Sequence, residues 1–195
     1  MGHGLIGLAG VQPFKMFGMN PRFIALLLCA SLVPVVQAHA KTILPDACGD
    51  DSIKFDVKTE VAQAAPAPPP EGKAQVVLVE SYPHEGIGTP TVRFGIDGSW
   101  AGANKGNSYF TLNVDPGAHK VCVALNKALQ SMAKDYVDLA SFTAEPGKVY
   151  YFEVKFGLIR DVGASVLTFG LAPLSEDEGK YRVKAWKLAT WKTNK

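Results

Sequence analysis

The sequence predicts a mainly β protein, and three observations carry that expectation. Apolar residues recur with a period of two in short segments along residues 53–171. Asp-Gly and Pro-Gly pairs stand between those segments, where a chain reversal needs fixed or positive φ. No strand–helix alternation supports a parallel α/β sheet.

Residues 53–57 alternate apolar and polar, as a half-buried strand does. Residues 62–72 follow, with prolines at 66, 68, 69 and 70 that enforce an extended polyproline II path. This is read as a stiff connector, the alternative being a ligand for a proline-binding groove. Residues 74–80 are β-prone and nearly continuously apolar, which fits a central strand. Val92, Phe94 and Ile96 share one face of the next strand, and Asp97-Gly98 makes a tight turn after it. Phe110, Leu112 and Val114 line one face of residues 108–114, and Asp115-Pro-Gly117 turns the chain into residues 119–125. Residues 126–136 read as a loop with some helix. Residues 137–144 and 148–156, joined by Glu145-Pro-Gly147, read as a hairpin, with Tyr150, Phe152, Val154 and Phe156 on one face. Residues 165–171 form the last strand. Ser175 with Glu178 is a capping box opening a short helix to about Trp186, weakened by roughly 1 kcal/mol at Gly179. The sum is an antiparallel β-sandwich, immunoglobulin-like or prealbumin-like, of about eight strands with a short C-terminal helix. Its expected core holds Val76, Leu78, Phe94, Ile96, Phe110, Leu112, Phe152 and Val154.

The chain has 195 residues, 47% hydrophobic and 19% charged, which excludes a disordered polyampholyte. Its 20 Lys+Arg outnumber its 18 Asp+Glu only through Lys15 and Arg22 in the first 40 residues. The balanced remainder argues against a nucleic-acid binder, which needs surplus cations to displace counterions.

Residues 23–36 are an apolar run of 14, preceded by Arg22 and followed by Gln37-Ala38-His39-Ala40. This pattern is a secretory signal, cleaved after Ala40 or Ala38. A membrane anchor would need about 20 apolar residues, and Pro34 interrupts this run. Met19 would itself begin a compact signal, so residues 1–18 fit a start assigned too far upstream. Leu26-Leu-Leu-Cys29 resembles a lipoprotein box without the small residue before the cysteine. The expected organisation is a signal at 1–40, an N-terminal strand segment at 41–60, the connector at 61–73, a sandwich at 74–190 and a basic tail at 187–195. The expected location is periplasmic or extracellular, with no membrane span in the mature chain.

The run Arg93-Phe-Gly-Ile-Asp-Gly-Ser-Trp-Ala-Gly102 is followed by Asn107-Ser-Tyr-Phe110, Val114-Asp-Pro-Gly117, His119 and Phe142-Thr-Ala-Glu-Pro-Gly-Lys-Val-Tyr-Tyr-Phe152. With the closing Asp177-Glu-Gly, these residues resemble a family of secreted bacterial envelope proteins known as domain of unknown function 2846, over roughly residues 47–190. The Asp-Gly, Gly and Pro-Gly-x-His skeleton is also similar to PEGA-type and carboxypeptidase-regulatory β-sandwich modules. The resemblance implies a periplasmic or surface β-sandwich, and no activity or catalytic residue.

Few residues carry chemistry. His84 and His119 survive signal removal, but no Gly-x-Ser-x-Gly accompanies them. His119 and Cys122 lie three apart on a strand and so point to opposite faces. No Cys-x-x-Cys supports zinc, and no Gly-Lys-Ser/Thr follows the glycines for a phosphate loop. Asp46, Asp50 and Asp51 flank Cys48 without a defined calcium loop. Trp100 and His84 are the candidate ligand contacts, Trp100 as a stacking surface for sugars or partner proteins. Its alternative role is to cover a sandwich edge. Lys180, Arg182, Lys184, Lys187, Lys192 and Lys195 surround Trp186 and Trp191 without segregating on a helical wheel, so this stretch reads as a solvated, frayed tail. Once Cys29 leaves with the signal, Cys48 and Cys122 remain to pair as a disulfide in an oxidising compartment; two separate thiols are the alternative. No cofactor is expected. The leading functional expectation is a non-enzymatic structural or binding accessory, its partner an unknown envelope protein or glycan. A glycan-binding surface module and a small hydrolase around His84 or His119 are the alternatives.

Overall fold

The computed structural model describes residues 44–82, 88–126, 137–161 and 164–194, all within the unit Lys41–Lys195. The segment expected to be a signal, His84 and the ambiguous 127–136 stretch lie outside the described residues. In chain order the elements are β1 (Lys54–Glu60), β2 (Ala74–Ser81), β3 (Thr91–Ile96), β4 (Ser99–Lys105), β5 (Ser108–Val114), β6 (Gly117–Leu125), β7 (Val137–Ala144), β8 (Val149–Asp161), β9 (Ala164–Leu174), α1 (Glu176–Ala185) and β10 (Lys187–Asn194). The protein is mainly β with one short helix among the described residues, as the alternation predicted.

The strands form a six-stranded sheet, ordered β1-β10-β5-β2-β8-β9, and a four-stranded sheet, ordered β4-β3-β6-β7. One core cluster draws Val76, Leu78, Phe110, Phe152 and Val154 from the first and Val92, Phe94, Val121 and Val123 from the second. Six of the eight expected core residues are buried there; Ile96 and Leu112 pack against it half-buried. β2 is buried along all but its last residue, because it lies between β5 and β8 with both faces covered.

Four features depart from the sequence reading. β4 was not expected as a strand, since Ala101-Gly-Ala103 shows no alternation. Its glycine is needed: the ring of Trp191 lies so close to Gly102 that a Cβ there would stand 2.5 Å from ring carbons. The frayed tail is instead β10, antiparallel to β1 from Leu188 to Asn194 and parallel to β5 at Lys187 and Leu188. On a strand, Ala189 and Trp191 share a face while Leu188 takes the other; a helical wheel applies the wrong period. The Pro-Gly turn at 145–147 does not close a hairpin. β7 pairs with β6, whereas β8 pairs with β2 and β9, so the turn carries the chain between sheets. Finally, β2–β8 and β10–β5 are parallel pairs within an otherwise antiparallel arrangement. The Asp97-Gly98 turn forms as expected, with φ of 51° and 87° at its two residues, and it joins β3 to β4.

The helix also begins where the sequence placed it. Ser175 accepts from the Glu178 amide and Glu178 returns a bond to the Ser175 amide, completing the capping box. Trp186 ends the helix in extended conformation and leads directly into β10. α1 lies on the outer face of the larger sheet with Val183 and Trp186 against Tyr151 and Tyr109.

Candidate functional site

The turns and strands bring the singled-out residues into three places. At the first, Cys48 and Cys122 form a disulfide with Cα atoms 5.2 Å apart, both buried. Trp100 lies half-buried beside it. Its indole N–H donates to the Asp50 carbonyl at 2.8 Å, and the backbone of Gly49 packs against its ring. The Arg93 guanidinium sits 4.4 Å from the ring centroid. Arg93 is itself buried; it donates to the Ile53 carbonyl and to Asp51, both at 2.9 Å. Burial would raise the Asp51 carboxyl, but the bond from Arg93 and the nearby Lys54 outweigh it and hold it low. Trp100 is thus engaged with the N-terminal segment, and Asp51 with Arg93.

At the second place, His119 bonds through Nδ1 to Asp97 at 2.6 Å and through Nε2 to the Asp115 carbonyl at 2.7 Å. Both partners are acceptors, so the ring satisfies them only when both nitrogens carry protons. Burial would lower the imidazole, but the bonds to Asp97 and Asp115 outweigh it and raise it. Asp97 is held low by the same bond and by the Lys120 amide, against the opposing effect of burial. An imidazolium with both nitrogens occupied offers no free lone pair to a nucleophile. Among the described residues, no three His, Cys, Asp or Glu side chains converge as metal ligands.

Two buried carboxyls escaped sequence reading. Burial pushes Glu80 well above the usual range, although it accepts the Gly106 amide at 3.0 Å. Glu153 lies under α1 and receives Arg182 at 2.8 Å, Lys155 at 2.9 Å and the Ser81 hydroxyl. Arg182 thereby pins the helix to the sheet.

The third place is a pocket of about 660 Å³, within the size range of small-molecule sites. Its floor is the outer face of the larger sheet, from Val77, Tyr109 and Tyr151. α1 supplies one wall through Val183 and Trp186, with Lys180 and Lys184 beside them. The proline-rich segment, residues 61–68, crosses it as a strap. Prolines 66 and 68 stiffen that strap, and Gln75 fastens it by donating to the Ala67 carbonyl at 3.0 Å. Burial raises both tyrosine phenols, keeping them protonated at neutral pH. The sequence reading missed this site because its parts lie on β2, β5, β8, α1 and a connector; the polyproline signal was visible, but not what it covers. No family model, curated protein or solved structure matches the chain.

Proposed function

We propose that the protein is an exported, non-enzymatic binding module of the bacterial envelope, with its ligand site in the pocket beneath the proline-rich strap. The pocket carries this reading: an apolar floor of aromatic and β-branched residues, with a few polar groups, is the make-up of a small-molecule site. The bridge between Cys48 and Cys122 fits an oxidising compartment, in agreement with the signal pattern and with the resemblance to secreted envelope proteins. The occupied nitrogens of His119 favour binding over hydrolysis.

Two measurements test the reading. Intact-mass analysis of exported protein should show a chain beginning at Lys41 or His39; retention of residues 1–38 refutes export. The neutral apolar fluorophore N-phenylnaphthylamine should bind saturably and with unit stoichiometry. Ala65→Trp, placed in the strap, should abolish that binding without lowering the melting temperature. A native protein that takes up no fluorophore overturns the assignment of the pocket.

A further inference from the structure

The pocket has a charge asymmetry. Among the described residues no carboxylate lines it, while two lysines from successive turns of α1 do. Lys180 is engaged by Glu176 at 2.6 Å, which cancels that pair. Lys184 has no carboxylate partner among the described residues, so the net charge at the rim is positive and resides on Lys184. Trp186, two residues on, forms part of the apolar wall. The two lysines are four apart on the helix and therefore project along one face.

An uncharged apolar ligand would gain nothing from the exposed Lys184 ammonium. A cationic one would be repelled by it. A ligand with an apolar body and an anionic end satisfies both surfaces, the body on Val77, Tyr109 and Tyr151 and the anion at Lys184. We propose that the pocket takes a small amphipathic carboxylate, an apolar chain whose carboxylate end is recognised by Lys184. This rests on the assignment of the pocket as the ligand site, and it adds the chemical class and the residue that selects it.

The test is displacement of N-phenylnaphthylamine from the full, disulfide-bonded chain by three ligands sharing a ten-carbon chain: decanoate, decanol and decyltrimethylammonium, each below its micelle concentration. Decanoate should compete best, with the cation weakest. Lys184→Gln should weaken decanoate about fivefold, a modest effect because Lys184 is exposed and screened, and leave decanol unchanged. Raising the salt concentration should weaken decanoate in the native protein and not in the variant. Three ligands of equal strength, or a Lys184→Gln variant with unaltered preference, overturn the anion proposal while leaving the pocket assigned. Failure of the fluorophore itself to bind overturns both. Lys184→Arg should retain the preference for decanoate, which separates charge recognition from incidental damage to the helix.

Discussion

The ring of Tyr151 lies against the backbone of Gly179, with no room between them for a Cβ. Gly179 is the buried residue of α1, at the point where the helix touches the sheet. By helix propensity alone, Gly179→Ala should gain about 1 kcal/mol. Overpacking at such a contact costs roughly 1–3 kcal/mol, and the ring cannot recede into a packed sheet. The variant should therefore be less stable by about 1 kcal/mol in chemical denaturation, and Tyr151→Ala should reverse the sign of the alanine effect at 179. A stabilised single variant would show that the helix can lift from the sheet at no cost.

Trp191 should prove to be a stabilising residue despite its place four residues from the C-terminus. Its ring packs edge-on to Phe110, with centroids 4.7 Å apart, and to Phe55 at 6.4 Å. Trp191→Ala should cost about 3 kcal/mol, near the lower end for aromatic truncation because the ring is only half-buried. Equal denaturation midpoints for variant and wild type would return this segment to a frayed tail.

Stability should peak on the acid side of neutrality. The raised imidazole of His119 contributes fully below its ordinary value of about 6.5, and that contribution is lost as pH rises through the higher folded value. Asp97, held low, contributes above the ordinary carboxylate range and loses its contribution as pH falls. Glu80 is raised, so its contribution also declines with increasing pH. Melting temperature against pH should show this maximum. His119→Gln should flatten the decline above about pH 6.5, and Glu80→Gln should remove a separate part of the slope. A His119→Gln profile parallel to wild type would exclude the ion pair as its source.

The disulfide should be quantitative and protective. Denatured, unreduced protein that begins at Lys41 or His39, and so lacks Cys29, should titrate no free thiol. Closing 74 residues of sequence separation should stabilise by at most ~4.5 kcal/mol in the chain-entropy model, and Cys48→Ala with Cys122→Ala should lose about 2–4 kcal/mol. Because both sulfurs are buried, reductant should act only as the N-terminal segment opens. Two titratable thiols, or a double variant of native stability, would count against the bridge.

Local physics was legible in the sequence. The alternation of Val92 and Phe94 and of Phe152 and Val154 placed those side chains in the core, since a period of two leaves one face to bury. Asp97-Gly98 announced its turn through positive φ, and Ser175 with Glu178 announced the helix through backbone groups that need partners. The cysteine pair followed from counting. Other features depended on neighbours distant in sequence. Which sheet β8 joins is decided by its parallel partner β2, not by the Pro-Gly turn before it. Whether residues 99–105 are a strand is decided by the edge that β3 offers to pair with them. Whether residues 187–194 are tail or strand is decided by the edge that β1 offers to pair with them. The pocket likewise exists only once the sheet, α1 and the proline strap enclose one space. Periodicity and turn chemistry act within a few residues and are written locally. Strand partnership, close approach and cavity shape are sums over contacts between distant segments, so they were fixed only when the chain closed on itself.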